Sequence, residues 1–215
     1  MWTKNNPSKL WTPGRTLRIA FLNGTREFKE ATISAANNWL PHINLQFDFV
    51  EGEEGDIRIL SEEGTFSSLI GTDALLSIDG PTMKLWPHSA NQARYFAANV
   101  MHEFGHMLGA EHEQTNPTAN IPWDKPAIYQ QHGLSDDPDG DNYQASVTRK
   151  RLHQWYLDRA DASESIYSEY DRKSIMHYTI HQSWTVGDFQ IFPNLSLSEK
   201  DKAFMNEAYP FPSTL

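Results

Sequence analysis

His102-Glu103-Phe104-Gly105-His106-Met107-Leu108-Gly109-Ala110-Glu111-His112 reads HExxHxxGxxH. Residues four apart lie on one face of a helix, one turn from each other. His102 and His106 can therefore aim ring nitrogens at the same ion. Glu103 adjoins the first ligand and can face a water held there. On a straight helix His112 would sit roughly 9 Å further along the axis than His106, and round to another side. Gly109 removes that obstacle, because glycine adopts positive φ without strain and ends helices. Three neutral imidazoles with an open fourth position suit catalytic zinc. A lone HExxH arises in unrelated chains; the added glycine and third histidine at fixed offsets make this one specific.

Downstream lies Ser174-Ile175-Met176-His177-Tyr178. The extended zinc motif followed by a methionine-bearing turn resembles the metzincin peptidases. SIMHY, together with Glu113 directly after the third histidine, is similar to the astacin family in particular. The resemblance spans about Leu10 to Pro210. It implies an α+β, zincin-like fold. Its N-terminal lobe (about 1–109) carries a twisted five-stranded mixed sheet and two long helices. Its C-terminal lobe (about 110–215) is mostly irregular and ends in a helix, the whole being one domain over 1–215. It also implies a zinc endopeptidase with one zinc per chain, held by His102, His106 and His112.

In that family Glu103 is the general base, and Tyr178 is both a resting ligand and the donor to the developing oxyanion. The methionine, here Met176, packs beneath the metal and is not a ligand. Gly109 is structural. The family's mature N-terminus reaches the glutamate at position Glu113; an exposed glutamate is the alternative for this chain. The strand before the zinc helix is expected to edge the cleft, so that Thr82, Met83, Lys84 and Leu85 pair with an extended substrate by strand addition. Many relatives prefer an acidic residue after the cut, held by a cation near the methionine turn. Arg172 and Lys173 are either that cation or solvated.

The chain has 215 residues, no cysteine, and 39% hydrophobic residues including seven Trp, eight Tyr and eleven Phe. That suits one folded domain with an ample core. No apolar run approaches the ~20 residues of a membrane helix. Met1 is followed by polar residues rather than a secretory signal. Export is expected from the resemblance, with any signal already removed; the alternative is no export by that route. The absence of cysteine excludes disulfides and thiolate ligands, unlike the animal members of the family, and fits its cysteine-free microbial branch. A formal net charge of −10 argues against nucleic acid or anionic membrane as partner. The expected partner is a protein or peptide substrate, and the expected state a monomer.

In chain order, Met1–Thr12 reads as polar and irregular. Thr16–Leu22 alternates as a strand. Thr25 caps a helix running to about Leu40 through Phe28, Thr32 and Ala36. Leu45, Phe47 and Phe49 mark a second strand and Asp56–Leu60 a third. Leu75–Ile78 and Pro81–Trp86 read as two more. Asn91–Leu108 is the zinc helix, with Phe96, Val100, Phe104 and Leu108 inward. Trp123–Gln131 and Val147–Leu157 read as helices, and Ala160–Asp171 as irregular. Asp136–Asn142 is an acidic loop, either solvated or a calcium loop whose glycine is misplaced for an EF-hand. Ser198 and Asp201 form a capping box for a last helix through Ala208. His42, His88, His132, His153 and His181 have no ligand spacing among them. A zinc-stabilised binding module, or a peptidase specialised for cell-wall peptide or for one host protein, are the competing functions.

Overall fold

The computed structural model describes residues 1–5, 8–87 and 92–212. In order, the elements are β1 (Trp2–Lys4), β2 (Thr16–Phe21), α1 (Arg26–Ala36), β3 (Gln46–Glu51), β4 (Ile57–Ser61), β5 (Ser67–Ser68), β6 (Met83–Leu85), α2 (Ala93–Met107), α3 (Lys125–Gln131), α4 (Tyr143–Leu152), β7 (Ser165–Tyr167) and α5 (Glu199–Ala208). The fold is α+β, with a five-stranded mixed sheet in the order β3-β2-β4-β6-β5. β2, β3, β4 and β6 run parallel, and β5 runs antiparallel to β6.

Parallel strands need crossover connections, and α1 and α2 cover the sheet. Thr25 Oγ1 accepts from Phe28 N at 3.2 Å and starts α1. The helix stops at Ala36, short of the expected Leu40. Asn38 Nδ2 donates to the Ser34 and Ala35 carbonyls and closes the end. The chain then turns to bury Trp39, whose Nε1 donates to Met101 O at 3.0 Å. Phe47 and Phe49 of β3 pack on Phe104 of α2, with ring centroids 5.7 and 6.4 Å apart. Phe28 meets Phe96 at 5.7 Å. Phe96, Val100, Phe104 and Leu108 are all buried, so the inward face of the zinc helix is the one its spacing indicates. Its expected first residue, Asn91, lies outside the described residues, as does His88.

Three expectations are corrected. Leu75–Ile78 is not a strand: Gly71–Leu76 is a 3₁₀ turn, and Leu76 and Ile78 are 78% and 89% exposed. An apolar run pairs as a strand only where a neighbour offers a ladder, and this run faces solvent. The fifth strand is instead β5, two serines. The N-terminus is not irregular, since β1 pairs with β7. Finally, Thr82, Met83, Lys84 and Leu85 are not a free edge. β4 flanks β6 on one side and β5 on the other, with Ser67 opposite Lys84 and Ser68 opposite Met83. Leu69 N donates to Thr82 O at 2.9 Å, and Thr82, Met83 and Leu85 are buried. The edge beyond them belongs to β5.

The C-terminal half holds two small apolar clusters, one around Ile128, Leu152 and Leu157, the other around Ile121, Ile180 and Ile191. α4 runs directly into a π turn, His153–Leu157. In the acidic loop, Asp141 pairs with Arg149 at 2.6 Å, Asp137 accepts from Asp139 N, and Asn142 caps α4. Ser198 and Asp201 form the expected capping box on α5.

Candidate metal centre

α2 brings His102 and His106 onto one face, and its C-terminus brings His112 back to them. Gly109 has φ +96°. Its N–H donates to His106 O at 2.8 Å, and Ala110 N donates to Gly105 O at 2.9 Å. These two bonds are the Schellman closure, which needs a left-handed residue at the glycine position. A Cβ there would also crowd Leu10 Cδ2 at 3.0 Å and Lys9 O at 3.2 Å. The chain leaves the helix in a fixed direction, and His106 and His112 Nε2 come within 3.0 Å.

Ligand-capable nitrogens of His102, His106 and His112 lie within 4.8 Å of one another. Tetrahedral nitrogens at a Zn–N distance of about 2.0–2.1 Å are roughly 3.3 Å apart. Among the described residues this is the one cluster of three or more such groups. Two of the rings are oriented by backbone. His102 Nδ1 meets Ile175 O and His106 Nδ1 meets Ala110 O, each at 2.8 Å. A carbonyl can only accept, so Nδ1 carries the proton and Nε2 keeps its lone pair for the ion. Burial favours the neutral ring: His106 is lowered to about 3 by burial and by the neighbouring His102, and His112 well below its usual value.

Glu103 is 5% exposed, and its Oε2 has no hydrogen-bond partner. Burial pushes its carboxyl up to about 8. Such a group is costly unless something charged sits beside it. A divalent ion held by three neutral imidazoles fits that need, because a nearby cation favours the carboxylate.

The second half of the site is the turn Ser174–Tyr178. Met176 is fully buried, and a Cβ on Gly105 would strike its Sδ, so glycine lets the helix settle on the methionine. Asp201 of α5 accepts from Ser174 Oγ at 2.6 Å and Ile175 N at 2.8 Å. The capping residue of one helix thus fixes the turn whose Ile175 carbonyl orients His102. Sequence reasoning found Asp201 only as a cap; nothing local signals its second partner. The Tyr178 ring lies 4.1 Å from that of His112 and 5.8 Å from that of His102. Its backbone N donates to Gln114 Oε1. Burial raises the Tyr178 hydroxyl pKa, keeping it a donor. His177 is committed at the turn, to Tyr178 O and to the Tyr170 hydroxyl.

Glu113 is not exposed. The Met1 ammonium lies 3.0 Å from its Oε2, both fully buried, and Asp171 N and Asn116 Nδ2 complete the carboxylate's bonds. Glu113 N donates to Met176 O, joining this pair to the turn. Trp2 adds a contact the sequence did not indicate: Nε1 donates to His112 O at 2.9 Å, and Trp2 O accepts from Glu111 N. Neither Arg172 nor Lys173 is in the lining of the cavities beside the trio. Arg172 stacks 4.3 Å over Phe189 and donates to Gln190 O.

Two cavities flank the trio. One, about 410 Å³, is lined by Trp2, Ser68, Ile70, His106, His112 and Trp155 among others. The other, about 240 Å³, includes Phe66, Asn99, Glu103, Tyr178 and Thr179 in its lining. Residues of and beside β5 line both, Ser68 and Ile70 the first and Phe66 the second, and the imidazoles stand between them.

Fold and site together define a class: zinc peptidases of the metzincin kind. A structure of myroilysin matches with TM-score 0.86 at 29% identity, covering 99% of this chain and 100% of that one. A crystal structure of myroilysin matches with TM-score 0.70 at 31% identity, covering 96% and 88%. High choriolytic enzyme 1, a hatching enzyme zinc-protease from the medaka fish Oryzias latipes, shares the fold at TM-score 0.54 and 14% identity, covering 88% and 87%. No protein-family model and no curated protein matches the chain. The chain belongs to the astacin family of zinc metalloendopeptidases and takes one zinc.

Proposed function

We propose that this chain hydrolyses internal peptide bonds of proteins, with His102, His106 and His112 as zinc ligands, Glu103 as general base and Tyr178 as oxyanion donor. When bound, zinc lowers the pKa of its water to about 7 and polarises the scissile carbonyl. Glu103 takes the proton of the attacking water at its unpartnered Oε2 and passes it to the leaving amine. Tyr178 stands beside the trio as a protonated hydroxyl. Its oxygen would serve as a further ligand at rest, and its hydroxyl would donate to the substrate oxygen on which negative charge develops. A donor aimed there contributes about 3 kcal/mol.

The observation that carries this reading is the lone Glu103 Oε2. A buried carboxyl without a partner costs roughly 1–3 kcal/mol or more. A module that merely held metal would have no use for it, which weighs against the zinc-stabilised binding alternative. The substrate is proposed to lie extended along β5, Ser67–Ser68, since Phe66, Ser68 and Ile70 line the two cavities flanking the trio. The chain is proposed to act as an exported monomer. A net charge of −10 supports the absence of nucleic acid or anionic membrane partners, and no described helix is long and apolar enough to cross a membrane.

The test is Glu103→Ala. It is expected to keep one zinc per chain by elemental analysis while turnover of a casein or peptide-library substrate nearly vanishes. Unchanged turnover would reject the mechanism.

A further inference from the structure

The two cavities beside the imidazoles differ chemically, and the difference bears on which bonds are cut. This rests on the peptidase reading above. Proton transfer decides which cavity serves which side of the bond. Glu103 must reach the leaving amine, so the residue carrying that amine sits on Glu103's side. Glu103 and Tyr178 line the cavity of about 240 Å³ and are absent from the lining of the 410 Å³ one. The smaller cavity therefore receives the side chain of the first residue after the cut.

Its walls are apolar at Phe66, Ala98 and Ile175, and polar but uncharged at Asn99, Thr179 and Asn194. No lysine or arginine lines it. His177 is on the wall, but with Nδ1 on Tyr178 O and Nε2 on the Tyr170 hydroxyl, each at 2.7 Å, it is held as a neutral ring. The two cations nearest in sequence line other cavities, although the Arg172 charge is felt at His177 on the wall. Arg172 lies on Phe189 in a separate cavity, and Lys173 lines a third, with Asn194, Glu199 and Lys200. Asn194 Nδ2 already donates to the Arg172 and Ser174 carbonyls, at 3.0 and 2.8 Å. What it still offers is a carbonyl oxygen, which welcomes a donor and repels a carboxylate.

We propose that this cavity selects a neutral side chain directly after the cut, favours one able to donate a hydrogen bond, and discriminates against Asp and Glu. A carboxylate there would lose hydration and gain no cation.

The experiment compares kcat/KM of the zinc-loaded protein on peptides identical except for Gln or Glu immediately after the cut. Gln is expected to be favoured about tenfold or more. Thr179 is exposed at the rim, and Thr179→Lys is expected to raise the Glu-to-Gln ratio about tenfold by supplying the missing cation. Arg172→Gln is expected to leave that ratio where it was. Equal or faster cleavage of the Glu peptide by the parent overturns the proposal. So does an unmoved ratio in Thr179→Lys, or a fall in Glu cleavage in Arg172→Gln. Failure to cut either peptide or any member of a mixed library would instead overturn the peptidase reading, and this proposal with it.

Discussion

Gly109 shows how much a single backbone angle decides. With φ +96° and Lys9 O close by, it is the hinge that turns a third histidine onto the first two. Gly109→Ala is expected to cost about 1–3 kcal/mol from left-handed strain. Denaturant unfolding would read that loss, and competition with a chelator would show weaker zinc binding. A second residue-scale expectation concerns protons. His106 and His112 are held neutral by burial, well below 6.5. Because their folded pKa values are depressed, the associated stability is complete above the unfolded value near 6.5 and is lost as pH falls below it, for His106 down toward about 3. The zinc-free protein should lose thermal stability across that window. Zinc retention should persist to lower pH than exposed imidazoles would allow, which a pH series with a zinc-sensitive dye measures. The ligands, Glu103, Gly109 and the Met176 turn were legible in the sequence because each is set by local spacing. Trp2 and the second role of Asp201 were not, because their partners, His112 and Ser174–Ile175, are distant in the chain.

Among elements, the short ones matter out of proportion to their length. α5 reaches the metal centre through Asp201, which caps its own helix and accepts two bonds from the methionine turn. Asp201→Ala should therefore cost about 3 kcal/mol, more than a cap alone. It should also weaken zinc binding, since the turn carries the carbonyl that orients His102; a pure capping role would leave zinc affinity unchanged. β1, β5 and β7 escaped sequence reading for a common reason. Strands of two or three residues are too short for an alternation to register, and Ser67–Ser68 has no apolar residue at all. Leu75–Ile78 misled in the opposite direction, as an apolar run whose side chains face solvent. The long elements, α1, α2, β2, β3 and β4, were legible because each has enough residues to display a buried face. The sheet edge was placed at Thr82–Leu85 because the two-residue strand beyond it was invisible.

At the scale of the molecule, the metal centre is where the two halves are tied together. His102 and His106 come from α2, which packs on the sheet, Met176 and Tyr178 from the turn held by α5, and His112 from the segment that follows Gly109. The buried pair of Met1 and Glu113 fastens the same junction from behind, through Glu113 N to Met176 O. Removing one partner of a buried pair costs about 3–5 kcal/mol. Glu113→Ala should show a loss of that size in denaturant unfolding, with little change if the ammonium were solvated instead. Chelation should lower the melting temperature without abolishing the fold, since the core of α1, α2 and the sheet does not depend on the ion. At free zinc of 1,000 times Kd the ion adds about 4 kcal/mol.

The central claim, one zinc shared by three imidazoles beside Glu103, is tested most directly by anomalous diffraction at the zinc edge from zinc-loaded crystals. A single peak per chain is expected, about 2.0–2.1 Å from Nε2 of His102, His106 and His112. No peak there, or a peak that leaves His112 unliganded, would contradict it.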